Sequence, residues 1–329
     1  MEQASVDVTV DDQPREIRSV RSRADRIFRL VASGSGLLVF VLLFLIGAFL
    51  LYQGFPALRL NGFRFLTNTQ WEPDSTTHTS GVAAVLYGTI VIAFIATALA
   101  LPIALLTALF LTEYAPLRLR RPFTSLIDLL AAIPSLIYGI WGFFFLQNHL
   151  LGTEQWLTDH LGFIPIFRTD PGSSLASSPF VAGCVVGLMV LPVATSVMRE
   201  VFSQAPAGEK EAALALGGSR WAMIRTVVLP FGRGGIIGGS MLGLGRALSE
   251  TIAIAIIISP LLAISPHILQ SGGNSVAALI ALRFGDASRE YGVPALMAAG
   301  LVLFVITLVV NTLASTIVAR SRSGAGVEI

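Results

Sequence analysis

Six apolar stretches, each long enough to cross a hydrocarbon layer as a helix, recur along the chain and leave little else for it to fold around. They cover about 30–52, 82–111, 123–146, 179–198, 234–262 and 294–319. About 20 apolar residues in a helix span the ~30 Å core of a bilayer, a solvent in which each segment must satisfy its own backbone. The chain is therefore expected to be an all-α polytopic membrane protein with six transmembrane helices. Composition agrees, since 54% of its 329 residues are hydrophobic and 13% charged, against roughly 25% charged in an ordinary soluble domain. The expected organisation is a tail over 1–27, a membrane domain over 28–320 and a second tail over 321–329.

Charge placement orients the spans. The first 26 residues are polar, acidic at Glu2, Asp7, Asp11 and Asp12 and basic from Arg15 onward, and the acidic part is too poor in apolar residues to fold alone. Arg29 followed by the run at 30–52 mimics a secretory leader, but no small-x-small cleavage site follows, so the run is expected to remain as the first helix. With the N-terminus inside, 16 of the 22 Arg and Lys residues fall in cytoplasmic segments and five in external ones, while Arg246 lies within a span. That bias places both termini in the cytoplasm, together with the loop at about 200–233. The segments 53–81, 147–178 and 263–293 then face outward as partly folded connections, the last carrying a short helix in SVAALIALRFG that lies on or dips into the surface. The pI of about 9.0 does not argue for nucleic acid, because the net charge is only +2 and the Arg residues cluster beside apolar spans.

Several chemistries are excluded. No G-x-x-x-x-G-K-[ST] is present, the sole lysine being Lys210 after Glu209, so the chain lacks the phosphate cradle of an ATP-hydrolysing subunit. The four histidines, His78, His149, His160 and His267, all fall in predicted external loops, leaving no intramembrane Ser–His or H-E-x-x-H site. A single cysteine, Cys184, excludes an intrachain disulfide and a Cys-rich metal centre. No catalytic residue, metal or cofactor is expected.

The most informative stretch is 211–250, which begins polar and basic and turns apolar. Glu211 to Leu216 favours helix, Gly217 and Gly218 permit a turn, Ser219 can cap a following helix, and Pro230 is expected to stop it. Gly235, Gly239 and Gly243 form a small-xxx-small row that admits a close neighbour, either within this chain or across a dimer interface. Arg246 and Glu250 stand four residues apart, on one face of an unbroken helix. Intramembrane charges cost about 2.5 to 3.5 kcal/mol each on insertion scales, so such a pair either lines a water-filled path or neutralises itself to orient helices. In the third span Pro134 is expected to kink the helix. Ser135 and Tyr138 beside it either offer hydroxyls to a pathway or bond backbone, and Asp128 reads as a local ion-pair or cap residue.

Two of these stretches carry family patterns. Glu211, Ala212, Ala213, Gly217, Leu229 and Pro230, with Val227 replacing an Ile, resemble the cytoplasmic loop of bacterial ABC importer permeases, E-A-A, three residues, Gly, nine residues, Ile, one residue, Leu-Pro. GLGRALSET resembles the G-R-A-x-G-E-T segment of phosphate-importer permeases, with Ser249 where that family has Gly. Ala131, Ile133, Pro134, Ser135, Tyr138, Gly139, Trp141 and Gly142 match its A-x-I-P-S-x-x-Y-G-x-W-G segment. The resemblance covers about 28–320 and implies a type I ABC importer permease fold in the bacterial plasma membrane. It also implies a heterodimer with a second homologous permease subunit, two ATP-binding subunits docked at the 211–230 loop, an extracytoplasmic phosphate-binding protein and phosphate as cargo. Two other readings stay open: another oxyanion such as sulfate or molybdate, and a permease-derived scaffold or sensor subunit in which Arg246 and Glu250 would be dispensable.

Overall fold

The structure, a computed structural model, describes residues 23–322. Most of the expected N-terminal tail and the residues after Arg322 lie outside the described residues. The chain divides into two compact units at Ala48 and Phe49, both crossed by helix α1 (Arg23–Asn61). In the first unit the helix exposes apolar side chains all round, with Phe28, Phe40 and Phe44 at 73%, 74% and 75% exposure, which suits lipid rather than water.

In the second unit the end of α1 leads to α2 (Arg64–Thr67) and to a two-stranded antiparallel ribbon, β1 (Trp71–Glu72) with β2 (Thr79–Ser80), Trp71 opposite Ser80. Helix α3 (Ala83–Leu109) runs into a π-helical turn at Phe110–Tyr114. Helix α4 (Leu117–Ala132) is followed by α5 (Ser135–Trp141), a π-turn at Gly142–Leu146 and α6 (Gln147–Leu161). After a 3-10 turn at Pro165–Phe167 comes α7 (Pro179–Ser203), then α8 (Ala207–Ala215) and α9 (Arg220–Met223). A π-turn at Ile224–Val228 leads through α10 (Leu229–Phe231) to α11 (Arg233–Leu248), α12 (Ile252–Ile257), α13 (Val276–Arg283) and α14 (Gly292–Arg322).

Among the described residues, four helical stretches are long and apolar enough to cross a membrane unaided: Arg23–Asn61, Ala83–Tyr114, Pro179–Ser203 and Gly292–Leu313. Two bent pairs raise the number to six, Leu117–Ala132 with Ser135–Leu161 at 90° and Arg220–Phe231 with Arg233–Leu248 at 66°. The kink expected at Pro134 is thus a full break. Ile133 is extended, at φ −66° and ψ 130°, because a residue preceding proline is sterically pushed out of the helical region. The unbroken fifth helix expected over 234–262 is also interrupted, between Leu248 and Ile252. The expected loop at 147–178 begins as helix α6, which carries His149 and His160.

The core is the pairing of α3 with α7. Small residues on α3 (Ala93, Ala96, Ala100, Ala104) lie against Val181, Val185, Val186, Val190 and Ala194 of α7, and a Cβ on Gly187 would meet the Ala96 carbonyl oxygen at 3.1 Å. Helix α11 then lies on α7 through its glycine row. Added Cβ atoms at Gly235, Gly239 and Gly243 would come within 2.5 Å of Val201, 3.1 Å of Ala194 and Met198, and 2.7 Å of Val190. Of the two uses left open for that row, the structure shows intramolecular packing. Helix α13 does dip inward: Val276 to Leu279 are buried, Ser275 caps it through Ala278 N, and Val276 N donates to Thr89 Oγ1.

Candidate functional site

Arg246, near the end of α11, opens on a cavity of about 480 Å³ that it shares with Met241, Gly245, Ser249, Val193 of α7, and Thr307 and Asn311 of α14. The polar groups there divide into spent and unspent donors. Ser249 Oγ donates to the carbonyls of Gly245 and Arg246, at 3.0 and 3.3 Å. Thr307 Oγ1 donates to Leu303 and Phe304, at 3.0 and 2.9 Å. Arg246 Nε is buried without a partner, and the Asn311 carboxamide, whose Oδ1 would lie 3.6 Å from a Cβ at Gly245, makes no hydrogen bond. The free donors of the cavity are therefore the guanidinium and the amide. Asn311 escaped the sequence reading, although an Asn inside an apolar span was a visible signal.

The expected Arg246–Glu250 pair on one helical face does not form. Three ion pairs occur among the described residues, and none joins these two. Helix α11 ends at Leu248, and the buried Glu250 accepts from Ala253 N at 3.3 Å, capping α12. Thr251 Oγ1 donates to the Ser249 carbonyl at 3.1 Å. Ser, Thr and Glu side chains thus take backbone bonds that a continuing helix would have made, which breaks the span without Gly or Pro.

The first break is tied in the same manner. Tyr138 Oη donates to the Leu130 carbonyl at 3.0 Å, so of its two expected uses the structure shows backbone bonding. Ser135 opens α5 with no hydrogen bond from its hydroxyl. The segments after the two breaks meet: a Cβ on Gly139 would stand 2.8 Å from Ala253 Cα, and one on Gly142 would stand 3.1 Å from Ile257. Asp128 is an ion-pair residue, 3.8 Å from Arg199, and accepts from Ser196 Oγ at 3.0 Å.

The second constellation lies between α7 and α11. Helix α8 ends in Gly217 at φ +83°, with Gly217 N bonded to Leu214 O and Gly218 N to Ala213 O. These are the two bonds of a Schellman cap, whose left-handed residue favours glycine. Ser219 caps α9 through Ala222 N, as expected. The helix ends at Phe231, one residue after Pro230, and the chain bends by 66° into α11. The π-turn just before Pro230 moves the bonding register by one residue and so accommodates a proline that has no donor. Glu211, Ala212 and Leu216 are exposed, Leu216 at 91%, whereas Met223, Ile224 and Val228 are buried.

Continuous and broken apolar spans, with an Arg and an Asn lining a cavity among them, define the chain as a multi-pass membrane protein. More particularly, residues 100–323 match the family described as binding-protein-dependent transport system inner membrane component, and the chain belongs to that family. It is 40% identical over 319 residues to the phosphate transport system permease protein PstC 2 of Mycobacterium tuberculosis, covering 96% of this chain and 97% of that one. It is 42% identical over 310 residues, 93% of each chain, to the phosphate transport system permease protein PstC of Xylella fastidiosa. In backbone it is similar to a bacterial ABC transporter involved in the import of the acidic polysaccharide alginate, at TM-score 0.56 and 18% identity, covering 90% of this chain and 98% of that one. The fold is accordingly that of an ABC importer permease, as the sequence led one to expect.

Proposed function

We propose that the chain is a permease subunit of an ATP-driven phosphate importer, lining half of the translocation path at Arg246 and receiving the ATPase stroke through α8. The observation that carries this is the cavity, whose lining includes both a guanidinium with an unpartnered Nε–H and an unbonded carboxamide. Phosphate is an oxyanion with several acceptors, and a fixed cation plus a neutral donor suits it. The names of the two bacterial relatives support the cargo.

In the working transporter, a second related permease supplies the other wall, an extracytoplasmic phosphate-binding protein delivers the anion, and two ATP-binding subunits dock on the exposed face of Glu211, Ala212 and Leu216. Gly217 and the Leu229–Pro230 step hold that face at its angle to α11. Glu250 fixes the break that ends α11 and so sets where Arg246 points, while Ser135 and Tyr138 line the neighbouring break. Both termini and α8 lie in the cytoplasm of a bacterial cell. ATP-driven closure then favours one of two states, which requires phosphate to bind them unequally.

The test is labelled-phosphate uptake by proteoliposomes holding the complete transporter, with ATP hydrolysis followed in parallel. Loss of a charged hydrogen bond is worth about 1.5–3 kcal/mol, so Arg246→Gln should cut uptake by roughly 10- to 100-fold with ATPase activity kept. Uptake at the wild-type rate in an assembled complex would sink the reading of the cavity.

A further inference from the structure

We infer that Lys210 and Glu113 form the rigid link that carries displacement of α8 into α3, making the sole lysine of the chain a positioning residue for energy coupling. The inference rests on the reading of α8 as the ATPase-docking helix. Lys210 Nζ lies 2.6 Å from Glu113 Oε1, with the two side chains only 20% and 7% exposed. The partners are 97 residues apart in sequence. Lys210 immediately precedes Glu211 on α8, and Glu113 sits on the π-helical turn that ends α3.

What makes the pair a link is how little else holds α8. None of its residues is buried. Its inward face consists of Lys210 and Ala213, three residues apart on one side of the helix, while Glu209, Glu211, Ala212, Leu214 and Ala215 are exposed. Ala213 packs against the cluster of Ala104, Ala108, Met198 and Phe202, but a methyl group resists sliding weakly. A short charge-assisted hydrogen bond fixes both distance and direction. Shielding from water strengthens that constraint, and it leaves either partner stranded if the other is removed. At the other end of the link, α3 is the helix that forms the core with α7. The following segment needs no such device, because Met223, Ile224 and Val228 anchor it by apolar burial.

The experiment uses the reconstituted complete transporter and reads phosphate taken up per ATP hydrolysed for Lys210→Met, Lys210→Arg and the reciprocal exchange Lys210→Glu with Glu113→Lys. Retention of the ATPase subunits is scored by gel filtration. If the link exists, Lys210→Met keeps its ATPase subunits and lowers the ratio about tenfold, whereas the exchange returns it to within about threefold of wild type, the non-additivity expected of a coupled pair. Lys210→Arg, which preserves the charge, should stay close to wild type. A wild-type ratio for Lys210→Met overturns the inference. So does an exchange as poor as the single variant, which also covers the case in which that variant assembles badly. Leu216→Asp separates the underlying reading: if it leaves the ATPase subunits bound and stimulated, α8 is not the docking helix and the link falls with it. If it strips them while Lys210→Met stays fully coupled, the link alone is wrong.

Discussion

Whether a polar side chain in a membrane cavity acts on cargo depends on where its donors already point. Thr307 and Asn311 are one helical turn apart on α14 and line the same space, yet the Thr307 hydroxyl is committed to the carbonyls of its own helix and the Asn311 amide is not. A neutral hydrogen bond contributes about 0.5–1.5 kcal/mol net, so Asn311→Leu should weaken apparent phosphate affinity by roughly 2- to 10-fold. Thr307→Val should change it little. Uptake kinetics on the two variants side by side decide the matter, and equal effects would mean that the cavity is sensed only as a volume. Arg246→Lys belongs to the same argument, because an ammonium keeps the charge and loses the planar fork of donors. It should recover part of what Arg246→Gln loses, and full recovery would reduce the role of Arg246 to charge alone.

Among the elements, α11 shows what was legible in the sequence and what was not. Its glycine row announced a close neighbour, but spacing alone could not say which one, since the identity of the neighbour is a tertiary fact. The structure sets Gly235, Gly239 and Gly243 on α7, while nothing lies within 4 Å of an added Cβ at Gly238. Overpacking a tight contact costs about 1–3 kcal/mol, so Gly235→Ala, whose Cβ would stand 2.5 Å from Val201, should lower the thermal midpoint of the purified complex. Gly238→Ala removes only backbone freedom, about 0.5–1 kcal/mol in favour of helix, and should leave that midpoint level or raised. A lowered midpoint for both would point to a second neighbour at Gly238. The two breaks divide in the same way. Pro134 was readable because it lacks a donor, whereas the break after Leu248 is written in Ser249, Glu250 and Thr251, residues that break a helix only when their side chains turn onto backbone. Periodicity saw apolar residues on both sides and joined them, and the Arg246–Glu250 pairing failed with that assumption. Gly217 was readable for the opposite reason, as a local cap that needs no partner outside its own turn.

At the level of the whole molecule, the spans were legible because each is a local composition, and their direction across the membrane is the part that every functional argument shares. If α8 faces the periplasm it can meet no ATPase, and neither the docking face nor the Lys210–Glu113 link has a purpose. Direction rests on the excess of Arg and Lys, which the fold concentrates at one set of helix ends. Arg118, Arg120 and Arg121 fall in the first turns of α4, Arg199 at the end of α7, and Lys210, Arg220, Arg225 and Arg233 between α7 and the start of α11. Each such residue resists translocation, and short segments beside span ends carry the rule. A single cysteine makes the test clean, because Cys184→Ala leaves a background with no other thiol. On that background Thr76→Cys, between β1 and β2 and exposed, should react with a membrane-impermeant maleimide on intact cells. Leu216→Cys, at 91% exposure next to α8, which is tied to the far end of α3, should react only after permeabilisation. The reverse pattern would turn the permease over in the membrane and remove the coupling reading with it. Labelling of Leu216→Cys that is blocked even in permeabilised cells, yet appears once the ATP-binding subunits are stripped away, would place those subunits on α8 directly.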